Sequence, residues 1–216
     1  MNHLLPRVKA LLISDQERRH LLQTDDHRDQ LLFKNNRLYI HRIFRVNYTT
    51  YDLRRAQDVI NPNTSHADIM VMSDTNVPIE VGTAGHRFRY ARVLGIFHVN
   101  VFYANATGIV DCQPLRMEFL WVRWFRVVDS TLRQKGSAHS DSQIQFPQLE
   151  FTPTPGGDAF GFIDPVDVMR GCHIVPCLAL GKKGGLDSEA ADWQMYYANW
   201  CVTYLVPKNI SSVLSC

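Results

Sequence analysis

The spacing of apolar positions changes character along this chain. Between residues 3 and 29, Leu4, Leu5, Val8, Leu11 and Leu12 recur at helical intervals, and Ser14-Asp-Gln-Glu17 has the form of a capping box. That spacing predicts two short helices, the second ending near residues 24–26. From about residue 31 the period becomes that of strands. Leu-Leu-Phe at 31–33, the pair Asn35-Asn36 and the run RLYIHRIFRVNYTTYDL predict a hairpin feeding a long strand. RRAQDVINPNTS predicts a turn around Pro62, and ADIMVMS, 67–73, the next apolar strand.

The strongest β signal is FRYARVLGIFHVNVFYA, 88–104. Strict alternation places Ala91, Val93, Gly95, Phe97, Val99 and Val101 on one face, which predicts a strand bent at Gly95. RMEFLWVRWFRVV, 116–128, carries large apolar groups on both faces: Leu120, Val122 and Trp124 on one, Phe119, Trp121 and Phe125 on the other, with Arg123 among them. Such a strand is expected to be covered on both sides, and an arginine there needs an acidic partner from another element or a path to water. Glu118 points to the opposite face, which leaves Asp164 or Asp167 as expected partners, with an aromatic ring under the guanidinium.

Residues 129–157, rich in Ser, Gln, Pro and Gly, predict a long connection. After it, Asp164 is placed to cap a short helix opened by Pro165 and ended by Gly171. HIVPCLAL returns to strand, and WQMYYANWCVTYL, 193–205, is a further aromatic run. The elements sum to a mainly β (α+β) fold, a small, partly open antiparallel β-barrel with short N-terminal helices and long loops, because no strand–helix–strand alternation is present. The expected organisation is a helical segment over 1–29, one β-rich domain over 30–206 and a tail over 207–216.

Composition narrows the class. The chain has 216 residues, 45% hydrophobic and 20% charged, as a globular protein has. No apolar run reaches the ~18–20 residues of a membrane helix. Pro6 and two bases interrupt the first apolar stretch, so no signal peptide is expected. Five cysteines, an odd and scattered set, read as reduced thiols in the nucleus or cytoplasm. The net charge is +2, yet residues 34–55 hold six Lys and Arg against Asp52 alone, a local +5. Arg42, Arg45, Arg54 and Arg55 in that segment are candidate nucleic-acid contacts, or simply a solvated strand face.

No catalytic constellation is evident. Gly181-Lys182 lacks the earlier glycine and the Ser or Thr of a phosphate loop, and there is no nucleophile elbow. Cys172, His173 and Cys177 lack a second cysteine pair for zinc. His66 with Asp68, and Asp25, Asp26 and His27, lie in turn-like sequence where such residues serve as caps. No enzyme activity, metal or cofactor is expected, and no small-molecule substrate is identified. Tyr90, Trp121, Trp124 and Phe125 are the candidate binding residues, as an aromatic edge or cage; the competing reading is that they are core.

Four blocks carry a resemblance. YIHRIFRVNYTTYDLRRAQDVINPNTSHADIMVMS, RYARVLGIFHVNV, MEFLWVRWF and DAFGFIDPVDVMRGCHIVP are similar to a region of proteins from fungal DNA transposons of the Plavaka type. The resemblance covers roughly 37–200, and the Y-T-T-Y-D-x-R-R-x-Q-D run is its most specific part. The chain has no room for the transposase core, so the family's catalytic acids are not carried over. A second resemblance is to the bromo-adjacent homology (BAH) domain, a chromatin module, at Tyr90 to Val93, Val122 to Phe125 and Gly171 to Val175. Together these imply a non-catalytic, transposon-derived module that binds a protein partner of the chromatin type. Two alternatives stay open: a nucleic-acid-binding barrel (DNA) using the arginine-rich segment, and a degenerate remnant without function, since the chain departs from the family after Asn199.

Overall fold

A computed structural model describes residues 31–50, 54–73, 88–103, 113–128, 146–154, 158–183, 192–199 and 212–215. The expected helices of 1–29 lie outside these residues. Twelve strands account for most of what is described: β1 (Leu31–His41), β2 (Ile43–Thr49), β3 (Arg55–Ile60), β4 (Asp68–Met72), β5 (Phe88–Tyr103), β6 (Leu115–Val128), β7 (Gln148–Phe151), β8 (Phe160–Ile163), β9 (Val168–Gly171), β10 (His173–Pro176), β11 (Tyr196–Asn199) and β12 (Ser212–Ser215). Every ladder between them is antiparallel. The fold is mainly β, as the alternating sequence predicts.

Nine strands form one sheet in the order β10-β11-β7-β6-β5-β4-β9, with β1 added along β5 and β8 along β6. β12, β2 and β3 form a second sheet. The small sheet packs Phe44, Val46 and Ile60 onto Ile69, Val71, Ala91, Val93, Ile96, Leu120, Val122, Ile163 and Val168 of the large one. A second core, on the other face, gathers Met70, Tyr90, Phe125, Leu149, Phe151, Ile174, Tyr196 and Ala198. Met70 on β4 and Ile174 on β10 come from near opposite ends of the strand order, so the sheet curls until they share one apolar cluster. β9 and β10, the two terminal strands of that order, are separated in the chain by Cys172 alone. Their neighbouring ends are therefore within about 7 Å along the backbone. Among the described residues no ladder joins β9 to β10, and the sheet is not a closed barrel.

Several local expectations need correction. The turn at Asn35-Asn36 does not reverse the chain. Both asparagines have positive φ, 57° and 51°, and the excursion between Phe33 and Leu38 is a bulge inside β1, which runs antiparallel to β5 on both sides of it. Asparagine tolerates that backbone better than most residues. RAQDVI, 55–60, is strand β3, and the turn is confined to 61–65.

β5 spans the length its alternation predicts, but not with one face. A register shift between Val93 and Gly95 inserts Leu94 into the β6 ladder. Ala91 and Val93 therefore join the first core, while Val99 and Val101 lie in a third cluster with Met117 and Phe119 on the opposite face. One extra residue exchanges the two faces of a strand. The segment expected as a short helix is a single 3-10 turn, Pro165–Asp167, capped by Asp164 through the Val166 amide at 3.0 Å. Gly171 does not end it but belongs to β9. The long connection 129–157 contains β7, whose Leu149 and Phe151 are buried; of its first part, 129–145 lies outside the described residues.

Candidate interaction surface

Tyr90 is fully buried, and Phe125 nearly so. Phe125 stacks on Phe151 at 4.1 Å between ring centres and meets Tyr196 edge-on at 5.4 Å. Both are core, and Tyr90's hydroxyl is held protonated by burial, its pKa pushed above the ordinary tyrosine value. Trp124 packs partly buried against the first core, with Arg89 stacked 3.9 Å from its ring centre. Trp121 alone of the four is exposed, at 39%. The four do not form a cage: Trp124 lies on the opposite face of β6, and Phe125 is covered by β7 while Trp121 is flanked by β8.

The buried charges are paired. Arg92 and Arg123 stand directly opposite each other across β5 and β6, an arrangement of like charges that is unfavourable unless each is neutralised. Arg92 binds Asp68 with both ends of its fork, at 2.7 and 2.9 Å. Burial raises the Asp68 pKa, against the opposing pull of the Arg92 guanidinium. Arg123 makes the same two-pronged contact with Asp192, at 3.1 and 2.6 Å, and lies 4.0 Å over the Phe151 ring. The expectation of an acidic partner and an aromatic ring is met, but the acid is Asp192 rather than Asp164 or Asp167. Asp164 is engaged as a cap, so this arginine ties the sheet to the start of the β11 segment. Its Nε is buried without a hydrogen-bond partner among the described residues.

Arg170 clamps the two sheets. It binds Asp58 at 2.7 Å and lies 3.4 Å over the Tyr48 ring, and Asp58 also accepts the Gly171 amide at 2.9 Å. Asp58 and Asp68 are thus engaged by Arg170 and Arg92. Arg45 and Arg55 project from the outer face of the small sheet, because Arg45 pairs with Val59 and Arg55 with Thr49, positions of opposite parity to buried Phe44, Val46 and Ile60. Arg42 is exposed between β1 and β2, and Arg54 is exposed just before β3. Arg45 and Arg55 therefore share one face, while Arg42 and Arg54 lie just outside the strands.

The exposed apolar surface lies on the large sheet and includes Trp121, a candidate binding residue of the sequence, with neighbours that the sequence does not mark. On the face of the large sheet that holds the third cluster, Ile40, Phe97 and Phe119 form one cross-strand row, and Leu38, Val99 and Met117 the next. Phe97 and Phe119 stack at 5.5 Å, and Phe162 meets Phe119 edge-on at 5.6 Å. A side chain on Gly95 would strike the Phe97 ring at 2.5 Å, so this ring lies across the glycine. The row next to it is Gly95, Trp121 and Phe162, with Phe160 6.1 Å from Trp121. The strip's centre is buried while its ends are open: Leu38 at 53% and Ile40 at 74%, Trp121 at 39% and Phe160 at 41%.

On the opposite face, two buried histidines join β1 to β5. His41 Nε2 lies 2.6 Å from His98 Nδ1, and Tyr39 stacks on His98 at 4.5 Å. Burial first, then Arg116 and His41, hold the His98 pKa below the ordinary histidine value. No group of three His, Cys, Asp or Glu among the described residues is placed to hold a metal. Cys172 is an intermediate-burial free thiol beside Asp68 whose pKa burial pushes well up, and Cys177 is also free. No helix among the described residues is long and apolar enough to cross a membrane.

These features define a curled antiparallel β protein with paired interior charges and an apolar surface strip. Compared with known proteins, the chain matches no family model, no curated protein and no solved structure.

Proposed function

We propose that this chain is a non-catalytic interaction module that binds a protein partner through the apolar strip ending in Leu38 and Ile40 on one side and Trp121 and Phe160 on the other. The observation that carries this is the pairing of exposed large apolar side chains at each open end of one strip, Leu38 with Ile40 and Trp121 with Phe160, since clustered exposed apolar groups mark interaction sites. A partly open, BAH-like barrel is consistent with the curl that brings Met70 and Ile174 together. Two of the three BAH-type blocks are neighbours: Tyr90 pairs with Phe125 and Val93 with Val122 across β5 and β6. Together with the Plavaka-type resemblance, this favours a transposon-derived module acting on a chromatin-type partner in the nucleus. Pairing of Asp68 with Arg92 leaves that carboxylate committed, in keeping with no catalytic role.

A second reading, nucleic-acid binding, draws on Arg45 and Arg55, which share the outer face of the small sheet. The purified chain should be titrated with acidic and basic peptides from chromatin proteins and with duplex DNA at low and high salt. Peptide binding that is lost in a Trp121→Ser, Phe160→Ser variant, and that falls less with salt than duplex binding does, is the expected result. Duplex binding that falls steeply with salt and disappears in Arg45→Ala, Arg55→Ala would replace this reading with the second. Metal-dependent nicking of DNA abolished by Asp68→Ala would overturn the non-catalytic assignment.

A further inference from the structure

β1 lies along β5 on one side and, among the described residues, pairs with nothing on the other. From Leu32 to Ile40 every residue is exposed. An edge of that kind, with apolar side chains and free backbone groups, is the template for adding another strand. Its occupant is constrained by charge. Lys34 and Arg37 flank the Asn35-Asn36 bulge and hold no ion pair among the described residues, and residues 31–50 contain Lys34, Arg37, Arg42 and Arg45 with no acid at all. A second copy of β1 laid antiparallel about this bulge would set Lys34 of each copy against Arg37 of the other. Like charges directly opposite oppose pairing, and a bulge with cations is a common guard against self-association.

We infer that the β1 edge receives an extended, acidic segment of a partner protein, which adds a strand beside Leu38–Ile40. Its alternate apolar side chains rest on Leu38 and Ile40, and its carboxylates meet Lys34 and Arg37. Main-chain hydrogen bonds supply much of the attraction, while the cations reject basic or self-identical strands. Nucleic acid is the weaker fit, because Leu38 and Ile40 offer it apolar surface where it needs donors. This inference rests on the protein-binding reading above and names the kind of partner.

The test uses the full chain and a synthetic peptide that alternates valine and glutamate, followed by fluorescence anisotropy. Controls are the same peptide with lysine for glutamate, and one N-methylated at alternate residues so that it cannot pair with an edge. The acidic peptide is expected to bind, to protect Leu38–Ile40 amides from hydrogen exchange, and to lose about tenfold or more in affinity with Lys34→Glu, Arg37→Glu. Both controls are expected to fail. These are exposed positions, and circular dichroism checks that the variant keeps its fold. Absence of binding, binding indifferent to the charge reversal, or equal binding of the N-methylated peptide overturns the inference. Sedimentation as a dimer that the same double variant leaves intact, but Ile40→Asp dissolves, assigns the edge to a second copy and also overturns it. Peptide binding lost in Trp121→Ser, Phe160→Ser but kept in Lys34→Glu, Arg37→Glu sinks the edge inference alone and leaves the strip reading standing.

Discussion

Replacing Arg92 by alanine probes the charged interior most directly. Asp68, 2% exposed, would lose both hydrogen bonds of the guanidinium fork and be left as a buried carboxylate. Breaking one partner of a buried ion pair costs about 3–5 kcal/mol. A third of the Arg92 side chain reaches water, which screens the pair and places the expectation near the lower bound, about 3 kcal/mol. For a domain whose whole stability is about 5–15 kcal/mol, this is a large fraction. The loss also carries a pH signature. Burial already raises the Asp68 pKa while Arg92 pulls it down, so removing Arg92 raises it further. An acid whose folded value lies above its unfolded value of about 3.9 gains stability as pH falls toward that unfolded value. The gap between wild type and Arg92→Ala should therefore narrow from neutral to mildly acidic pH. Adding Asp68→Asn to the variant should restore part of the loss at neutral pH by removing the stranded charge. Urea unfolding followed by tryptophan fluorescence measures each difference. A loss under about 1 kcal/mol, or a gap that is the same at both pH values, would refute the reasoning.

Two further outcomes are expected. Gly161→Ala places a Cβ 2.6 Å from the Trp124 Nε1, and because that indole is held by the first core and Arg89, the variant should lose about 1–3 kcal/mol in urea unfolding; wild-type stability would show that the indole moves freely. His98 has a folded pKa below its unfolded value of about 6.5, so the unfolded chain takes up the proton first. The His41–His98 contribution is then present above that value and lost as pH falls through the depressed folded one, with Tyr39, Arg116 and Glu118 the other titratable or charged groups on the neighbouring strands. Melting temperature should drop with acidification in the wild type and drop less in His98→Asn; equal slopes would exclude the pair as the cause.

Much of the fold is legible in local pattern because alternation is a property of the chain itself. The extents of β5 and β6, the burial of Leu120 and Val122, the Asp164 cap and the need of Arg123 for an acid and a ring all follow from residue types and side-chain parity. Parity carries only as far as the ladder is regular. The inserted Leu94 exchanges the faces of β5 halfway along, so Val99 and Val101 part from Ala91 and Val93, and a bulge depends on what the neighbouring strand requires. Partner identity is equally nonlocal: Asp192 reaches Arg123 across 69 positions, and Asp58 reaches Arg170 across 112. Trp121 and Phe125 have the same parity and the same apolar character. What separates a surface tryptophan from a core phenylalanine is that β7 runs beside residues 125–128 and β8 beside 120–123, a choice made by strands from distant parts of the chain.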